Sequence, residues 1–590
     1  MSETRWWRAE DRHLYTMTLA ACHEAYRTSA TRLEGYARAL RFYADKTEVH
    51  IGSGIAEPST LDFNLVRTLV QSARARVVEY PAPRPQIQTS GGNPEVQKRA
   101  QGLTKWMAGL MSATKYDALV RGKVALRSGC LGDGVVKYGA RFGRPHITAP
   151  KPWHLFAHEE DEQEDDVRTL YQVERIDRGV LAHLYPEEAR RIDHADGSDM
   201  VPWGHSGDND HKTTIIEAWH LPSSPDAKDG RHVLLMQDKV LADDPWTHDT
   251  LPFGFLRWCE PMSAFWATGI ADEVGALQWR INKLVARLQE AIDLTCNPRL
   301  LVPRGSKVSP WPPTNESGAI VYYSGPKAPD WDVARAVSPA LAENIERLWA
   351  KGFQIVGESE MAAMAMKPAG IDSGEALRVY HDKTSGRRAP WSVLMQGLYT
   401  DAGDQLRRLG ERLAAEDPDY EVVYHDQRRG QIERVRFSDV NLDRDSYVLR
   451  AYPVSSLPED PAGRQAALDE RMKMGGMTRE QYLRLQRNPD LEADDELESA
   501  PYNLARDSLE RMIYGDGTYT PPQGLDDLQT SLTLTTRYYA KARLDNVDPE
   551  RLALVRQYAA ALKVEIQKTL PPAPPPGTPP APPAPPAPPL

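Results

Sequence analysis

The stretch "ATGIADEVGALQWRINKLVARLQEAID", residues 267–293, holds the clearest helical pattern in the chain. Ile270, Val274, Leu277, Ile281, Leu284, Leu288 and Ile292 recur in alternating steps of four and three. That spacing places all seven on one side of an α-helix. Asp272, Glu273, Arg280, Lys283, Arg287 and Glu290 fall off the stripe. The segment therefore reads as an amphipathic helix with a narrow, near-heptad seam. Ser263 is the candidate cap, and Pro298 disfavours helix at Asn297. Taken as Ser263–Leu294, the helix would be roughly 48 Å long.

Downstream comes a Pro-, Gly- and Ser-rich region with two strand-like runs, "RLLVP" and "GAIVYYSG" (Gly318–Gly325). A second helix runs from about Pro339 to Ile355. The loop "MAAMAMKPAGIDSGEAL" (Met361–Leu377) follows. A third long helix covers Ser373 to about Ala415, with Ser373 as its cap and Leu394, Leu398, Ala402, Leu406, Leu409 and Leu413 on its apolar face. Inside it, Pro390 removes the bond to the carbonyl of Gly386, which predicts a kink. Strands return at "DYEVVYHD" and "DSYVLRAYPVS". Residues 461–487 read as helix broken at Gly475 and Gly476, and a last helix spans about Pro549–Thr569. The final 20 residues hold 13 prolines and no charge. They cannot pack a core, and predict polyproline II or disorder.

Upstream, Asp11–Lys46, Phe63–Glu79, Glu95–Met111 and Tyr116–Ser128 read as helices, with breaks at "IGSG" (Ile51–Gly54) and "PAPRP" (Pro81–Pro85). From Gly134 the period changes to alternation, notably in Val167–Ile176, Thr213–Leu221 and Arg231–Ala242. Residues 134–258 are thus a β-rich region. The fold class expected is α+β, predominantly helical.

With 590 residues, 41% of them apolar, the chain has material for several domains and a sizeable core. A net charge of −11 argues against coating nucleic acid by bulk attraction. Cys22, Cys130, Cys259 and Cys296 form no CxxC pair, so neither a disulfide framework nor a zinc site is expected, which suits a reducing cytoplasm. The start "MSETRWWRAEDRH" has no signal-peptide core, and no apolar run reaches membrane-spanning length, so no membrane association is expected.

No catalytic residues stand out. "GCLGDGVVKYG" (Gly129–Gly139) lacks the spacing of a phosphate loop or dinucleotide fingerprint and reads as a turn entering a strand. In "HLFAHEEDEQEDD", His154 and His158 followed by acids offer the alternative of a metal-dependent enzyme. On a strand, however, residues four apart lie ~13 Å from each other, which favours a solvated acidic loop. Arg378, Lys383, Arg387 and Arg388 at the start of the third helix either touch phosphates or form a solvated or inter-subunit face. No catalytic, metal or cofactor site is assigned.

The order of these features resembles the portal (head–tail connector) protein of tailed bacteriophages, over about residues 30–490. "ATGIADEVGALQWRINKLVARLQEAID" resembles the family's first stem helix and "NPRLLVP…GAIVYYSG" its clip. "SPALAENIERLWAKGFQIVGESE" resembles the returning stem helix. "AAMAMKPAGIDSGEAL" resembles the tunnel loop and the start of the channel helix. "YPVSSLPEDPAGRQAALDERMKMGGMTREQYLRL" resembles the closing segment, and "KPWHLFAHEEDEQEDD" fits the wing. The Pro-rich tail departs from the family pattern.

The resemblance implies a portal-type fold: wing at 1–262, stem at 263–296 and 339–358, clip at 297–338, and tunnel loop at 359–372. A kinked channel helix follows at 373–415, wing strands at 416–460, a crown-like helical region at 461–570, and the tail at 571–590. It implies a cyclic ring, commonly a dodecamer, at the unique capsid vertex of the virion, assembled in the bacterial host cytoplasm. The implied partners are double-stranded DNA in transit, the major capsid protein, the terminase large subunit, and head-completion adaptor or tail proteins. No cofactor is implied. Met361, Met364, Met366, Lys367, Gly370 and Asp372 would line the channel as the tunnel loop. The stem seam would pack on neighbouring subunits.

Overall fold

The computed structural model describes residues 5–569, apart from 45–62, 196–210, 310–321, 359–388, 454–467, most of 475–490, and shorter breaks. It is a mixed α+β fold, predominantly helical. Helices α1 (Asp11–Thr28) and α2 (Ala30–Ala44) divide at Ser29, where one continuous helix was expected. α3 (Leu65–Glu79) follows, then strand β1 (Pro83–Thr89) and helix α4 (Pro94–Ala113). The helix expected over Tyr116–Ser128 comprises α5 (Tyr116–Leu119), a π turn (Val120–Val124) and α6 (Ala125–Leu131). Gly132, at φ 102°, ends α6 and admits strand β2 (Asp133–Lys137). The glycine-rich stretch is therefore a turn into a strand, as its sequence suggested.

Strand β1 runs through the proline cluster that was read only as a helix stop. It pairs antiparallel with a late strand at Tyr447–Pro453. Pro83 and Pro85 are two apart, so their missing N–H groups fall on the same edge of the ladder. Ile87, on the same edge, donates its N–H away from the partner strand to Thr104 Oγ1 at 3.2 Å.

After the short ladder β3–β4 (Ala140–Arg141, Arg144–Pro145) comes a five-stranded antiparallel sheet. Its strands are β5 (Leu155–Ala157), β6 (Thr169–Asp177), β7 (Lys212–His220), β8 (Arg231–Met236) and β9 (Lys239–Pro245). Short helices α7 (Arg178–Leu184) and α8 (Ala189–His194) lie between β6 and β7. The alternation expected from sequence sorts its side chains onto two buried faces. Phe156, Tyr171, Val173, Ile216, Ala218, Val233 and Leu235 pack against α1 and Trp6, whose Nε1–H donates to Tyr171 Oη at 2.9 Å. On the other face, Leu170 and Trp219 meet Phe253, Phe265 and Trp266, while Ile176, Ile215 and Leu234 meet Leu181 and Ile192. The single strand expected over Arg231–Ala242 is a two-strand hairpin. It turns at Gln237 and Asp238, with Asp238 at φ 56°.

Strand β10 (Phe253–Arg257) pairs with β2 and leads to α9 (Ile270–Cys296). Two nested antiparallel ladders follow. The outer one joins β11 (Arg299–Leu301) to β14 (Asp330–Asp332); the inner one joins β12 (Lys307–Ser309) to β13 (Tyr322–Ser324). Because β11 and β14 pair directly, α10 (Pro339–Val356) returns antiparallel along α9.

The next described helix is α11 (Ala389–Glu416). Leu398, Ala402, Leu406, Leu409 and Leu413 are buried, as its apolar face predicts. Hairpin β15–β16 (Glu421–Asp426, Gln431–Arg436), α12 (Phe437–Val440) and β17 (Tyr447–Pro453) close this body. Helices α13 (Leu491–Ile513), α14 (Leu528–Leu544) and α15 (Pro549–Thr569) form a three-helix unit with its own core around Leu509, Leu534, Val555 and Leu562. No described helix is long and apolar enough to cross a membrane.

The sheet carries a partly buried ionic cluster. Glu217 takes a salt bridge from Lys137 and lies 3.0 Å from His232 Nε2, while Asp244 is 3.8 Å from His232 Nδ1. His232 stacks on Trp219, with ring centroids 5.3 Å apart. Burial alone would push the Glu217 carboxyl up, but Lys137 and His232 outweigh it and hold it down at about 2. Burial alone would push His232 down, but hydrogen bonds to Asp244 and Glu217 raise it above its ordinary value. Its folded pKa thus exceeds the unfolded one. The stabilisation is complete below the unfolded value and disappears as pH rises through the folded one. His232→Gln should therefore lower the urea midpoint more at pH 5.5 than at pH 9. Glu217→Gln strands the Lys137 ammonium, and should cost about 3 kcal/mol at pH 7 by chemical denaturation.

Candidate functional site

The hairpin of α9 and α10 begins at a defined point. Gly269, and not Ser263, precedes the first helical residue: Asp272 and Glu273 donate their N–H groups to Gly269 O, and Gly269 N–H donates to Asp272 Oδ2 at 3.3 Å. This is one half of a capping box, in which the third helical residue caps the residue before the helix. The expected start at Ser263 was too early, because the chain first spends Ala264–Thr268 crossing the body. There Ala267 N–H donates to Asp133 Oδ2 at 3.0 Å. The helix is accordingly about 40 Å long.

The root of the hairpin is fixed by two buried amides. Gln278 Oε1 accepts from Val66 N–H at 2.8 Å, and Gln278 Nε2 donates to Phe42 O at 3.2 Å. Asn282 Oδ1 accepts from Phe63 N–H at 3.0 Å. A helix leaves its first N–H groups and last carbonyls without internal partners. Gln278 thus serves the end of α2 and the start of α3 together. Close packing accompanies this. A Cβ on Gly275 would lie 2.6 Å from the Phe42 ring, and one on Gly352 would lie 2.4 Å from Leu65. Glu358, just past α10, accepts from Ser72 Oγ at 2.9 Å.

The seven seam residues divide along the helix. Ile270, Val274 and Ile281 are fully buried in this chain's own core, and Leu277 packs against it. From Ile281 onward the buried positions are Asn282, Val285 and Ala286, so the buried face turns away from the seam. Leu284 and Leu288 are half-buried, and Ile292 is exposed. The proximal seam therefore finds its partner within the chain, where a neighbouring copy had been expected. Only the distal part remains for one. At the tip, Leu301, Tyr322 and Tyr323 are exposed.

Met361, Met364, Met366, Lys367, Gly370, Asp372, Arg378, Lys383, Gly386, Arg387 and Arg388 lie outside the described residues. Pro390 is the second described residue of α11. Any kink between it and Gly386 involves chain outside the described residues.

No protein-family model matches the chain, and no curated protein matches it.

His154 and His158 flank the three-residue strand β5. The His154 ring meets Trp153 edge-on at 6.1 Å, and burial, then Lys151 and Arg127, push it down to about 4. The His158 ring lies edge-on to Trp7 at 6.4 Å, and the His158 backbone N–H donates to Thr169 O. Asp161 Oδ2 accepts from the N–H groups of Arg168 and Thr169, closing the acidic loop. Among the described residues, no group of three or more His, Cys, Asp or Glu is placed to hold a metal ion.

Sequence reasoning did not single out Gln278 or Asn282. Their spacing of four on the buried side of an amphipathic helix was the available signal. Gln278→Leu orphans Val66 N–H and Phe42 O, and should cost about 3 kcal/mol in denaturant unfolding. Trp279→Ala, at an exposed neighbouring position, should cost about 0.5 kcal/mol.

Proposed function

We propose that the chain is the portal subunit of a tailed bacteriophage, forming a ring at one capsid vertex through which DNA is packaged and later ejected. The observation that carries this reading is the α9–α10 hairpin. It has a root locked into an α+β body, a distal apolar seam left over, and nested β ladders at its tip. In a closed cyclic ring each copy offers one flank to the next, and Leu284, Leu288 and Ile292 are the apolar positions available there. The ladders correspond to the clip, where head-completion adaptor or tail proteins and the terminase large subunit would dock. The major capsid protein would surround the body.

A net charge of −11 suits a channel that passes DNA without gripping it, since each strong phosphate contact adds salt-dependent sticking. In this reading Met361, Met364 and Met366 give the channel a smooth, adaptable, uncharged surface. Lys367 is the one cation this loop would offer a passing phosphate. The rival reading, a metal-dependent enzyme at His154 and His158, has no convergent ligand set among the described residues behind it.

Averaged particle images of the purified chain should show a ring with an open axial channel; a uniform population of monomers would overturn the proposal. Ile292→Asp should leave monomer stability within about 0.5 kcal/mol, because the site is exposed, yet abolish rings. Normal rings from that variant would mean the distal seam faces elsewhere. Deleting Ala362–Ala369 should leave ring assembly intact and impair packaging or retention of DNA, measured as protected genome per particle.

A further inference from the structure

The three-helix unit α13–α15 contains a cleft of about 710 Å³, of a size that holds a small ligand or short peptide segment. Tyr558 of α15, Pro501 and Leu504 of α13, and Pro521, Gln523 and Leu525 of the α13–α14 connection line it. Leu525 is fully exposed and Leu504 more than half exposed, so the rim presents apolar side chains to solvent. The two acids at the cleft are engaged locally. Asp526 Oδ2 accepts from Gln523 N–H at 2.7 Å, and Asp527 caps α14 through Thr530 N–H and Oγ1. The accessible lining is the apolar rim of Pro501, Leu504 and Leu525, with only an edge of the buried Tyr558 at its base, and such a rim suits an uncharged, proline-rich ligand in the polyproline II conformation.

The chain carries such a ligand. Residues 571–590, outside the described residues, are uncharged, and "APPAPPAPP" at 581–589 repeats with period three. Polyproline II has three residues per turn, so Ala581, Ala584 and Ala587 would form one narrow stripe between two proline faces. The reach is sufficient. Tyr558 precedes the end of α15 at Thr569 by eleven residues, about 16 Å. Residues 571–590 would span up to about 62 Å at 3.1 Å per residue, well over the roughly 16 Å back to Tyr558, so 579–590 can return and still lie along the cleft.

We propose that the proline-rich segment 579–590 docks into the Tyr558 cleft of its own chain, covering the apolar rim of the three-helix unit.

Hydrogen exchange tests this on the full chain. Amides of residues 502–508 and 523–531 should exchange more slowly in the full chain than in one ending at Thr569. A millimolar effective concentration against a site of ~0.1 mM affinity gives roughly tenfold slowing. Leu525→Asp in the full chain, at a position too exposed to disturb folding, should abolish the difference. Equal rates in the full and shortened chains would overturn the proposal, as would slowing that survives Leu525→Asp. In mixtures with an excess of 15N-labelled shortened chain, intrachain docking leaves the labelled cleft unprotected. Protection appearing on the labelled chain would mean the segment docks across copies, and would overturn the intrachain assignment.

Discussion

One carboxamide organises the centre of this protein. Gln278 reaches from α9 to the end of α2 with its nitrogen and to the beginning of α3 with its oxygen. Each bond is modest by itself, since folding exchanges water for protein partners. The constraint lies in the cost of leaving either group unmade in a buried site. Helices α2, α3 and α9 must therefore meet in one arrangement. Phe42 against Gly275 and Leu65 against Gly352 then bring both arms of the hairpin to close packing. The capping at Gly269 and the contact from Ala267 to Asp133 belong to the same junction, because they set where α9 starts.

The body combines two kinds of buried polarity. The hairpin root is held by neutral amides, whereas on the five-stranded sheet Glu217 pairs with Lys137 of β2 and with His232. Asp133 stands between the two regions. Burial pushes its carboxyl up to about 7, against the opposing pull of Arg257, the Ala267 N–H, Arg32 and Tyr36. The sheet and the segment leading into α9 are thus sensitive to protonation, while the amides of the root are not.

Much of the architecture was legible because burial imposes a period. Strands β6 and β7 followed from alternation and α11 from its leucine face, while the return of α10 along α9 was expected only from the resemblance. What escaped notice depended on tertiary partners. β1 was hidden because its prolines are acceptable only on a ladder edge, and the partner strand lies more than 350 residues later. The break at Ser29 leaves helical periodicity intact on both sides. The turn at Gln237 and Asp238 sits inside a run that continues to alternate. α13 and α14 pack on each other and on α15 in one core, a tertiary arrangement that the separate segments do not announce. Within the hairpin, the seam was visible but its division was not. Which part of an apolar stripe is satisfied inside the chain depends on α2, α3 and α10, and α9 alone carries no record of them.

The position of Gln278 makes the hairpin a lever. Eighteen residues separate it from Cys296 at the end of α9, a distance of about 27 Å. A tilt of roughly 10° about that pivot sweeps the far end by about 5 Å, close to the spacing of adjacent strands in a sheet. Errors at the fulcrum are therefore magnified to a whole strand width where the ladders sit. The bonds at the pivot itself join neutral amides, which salt does not screen as it does surface ion pairs.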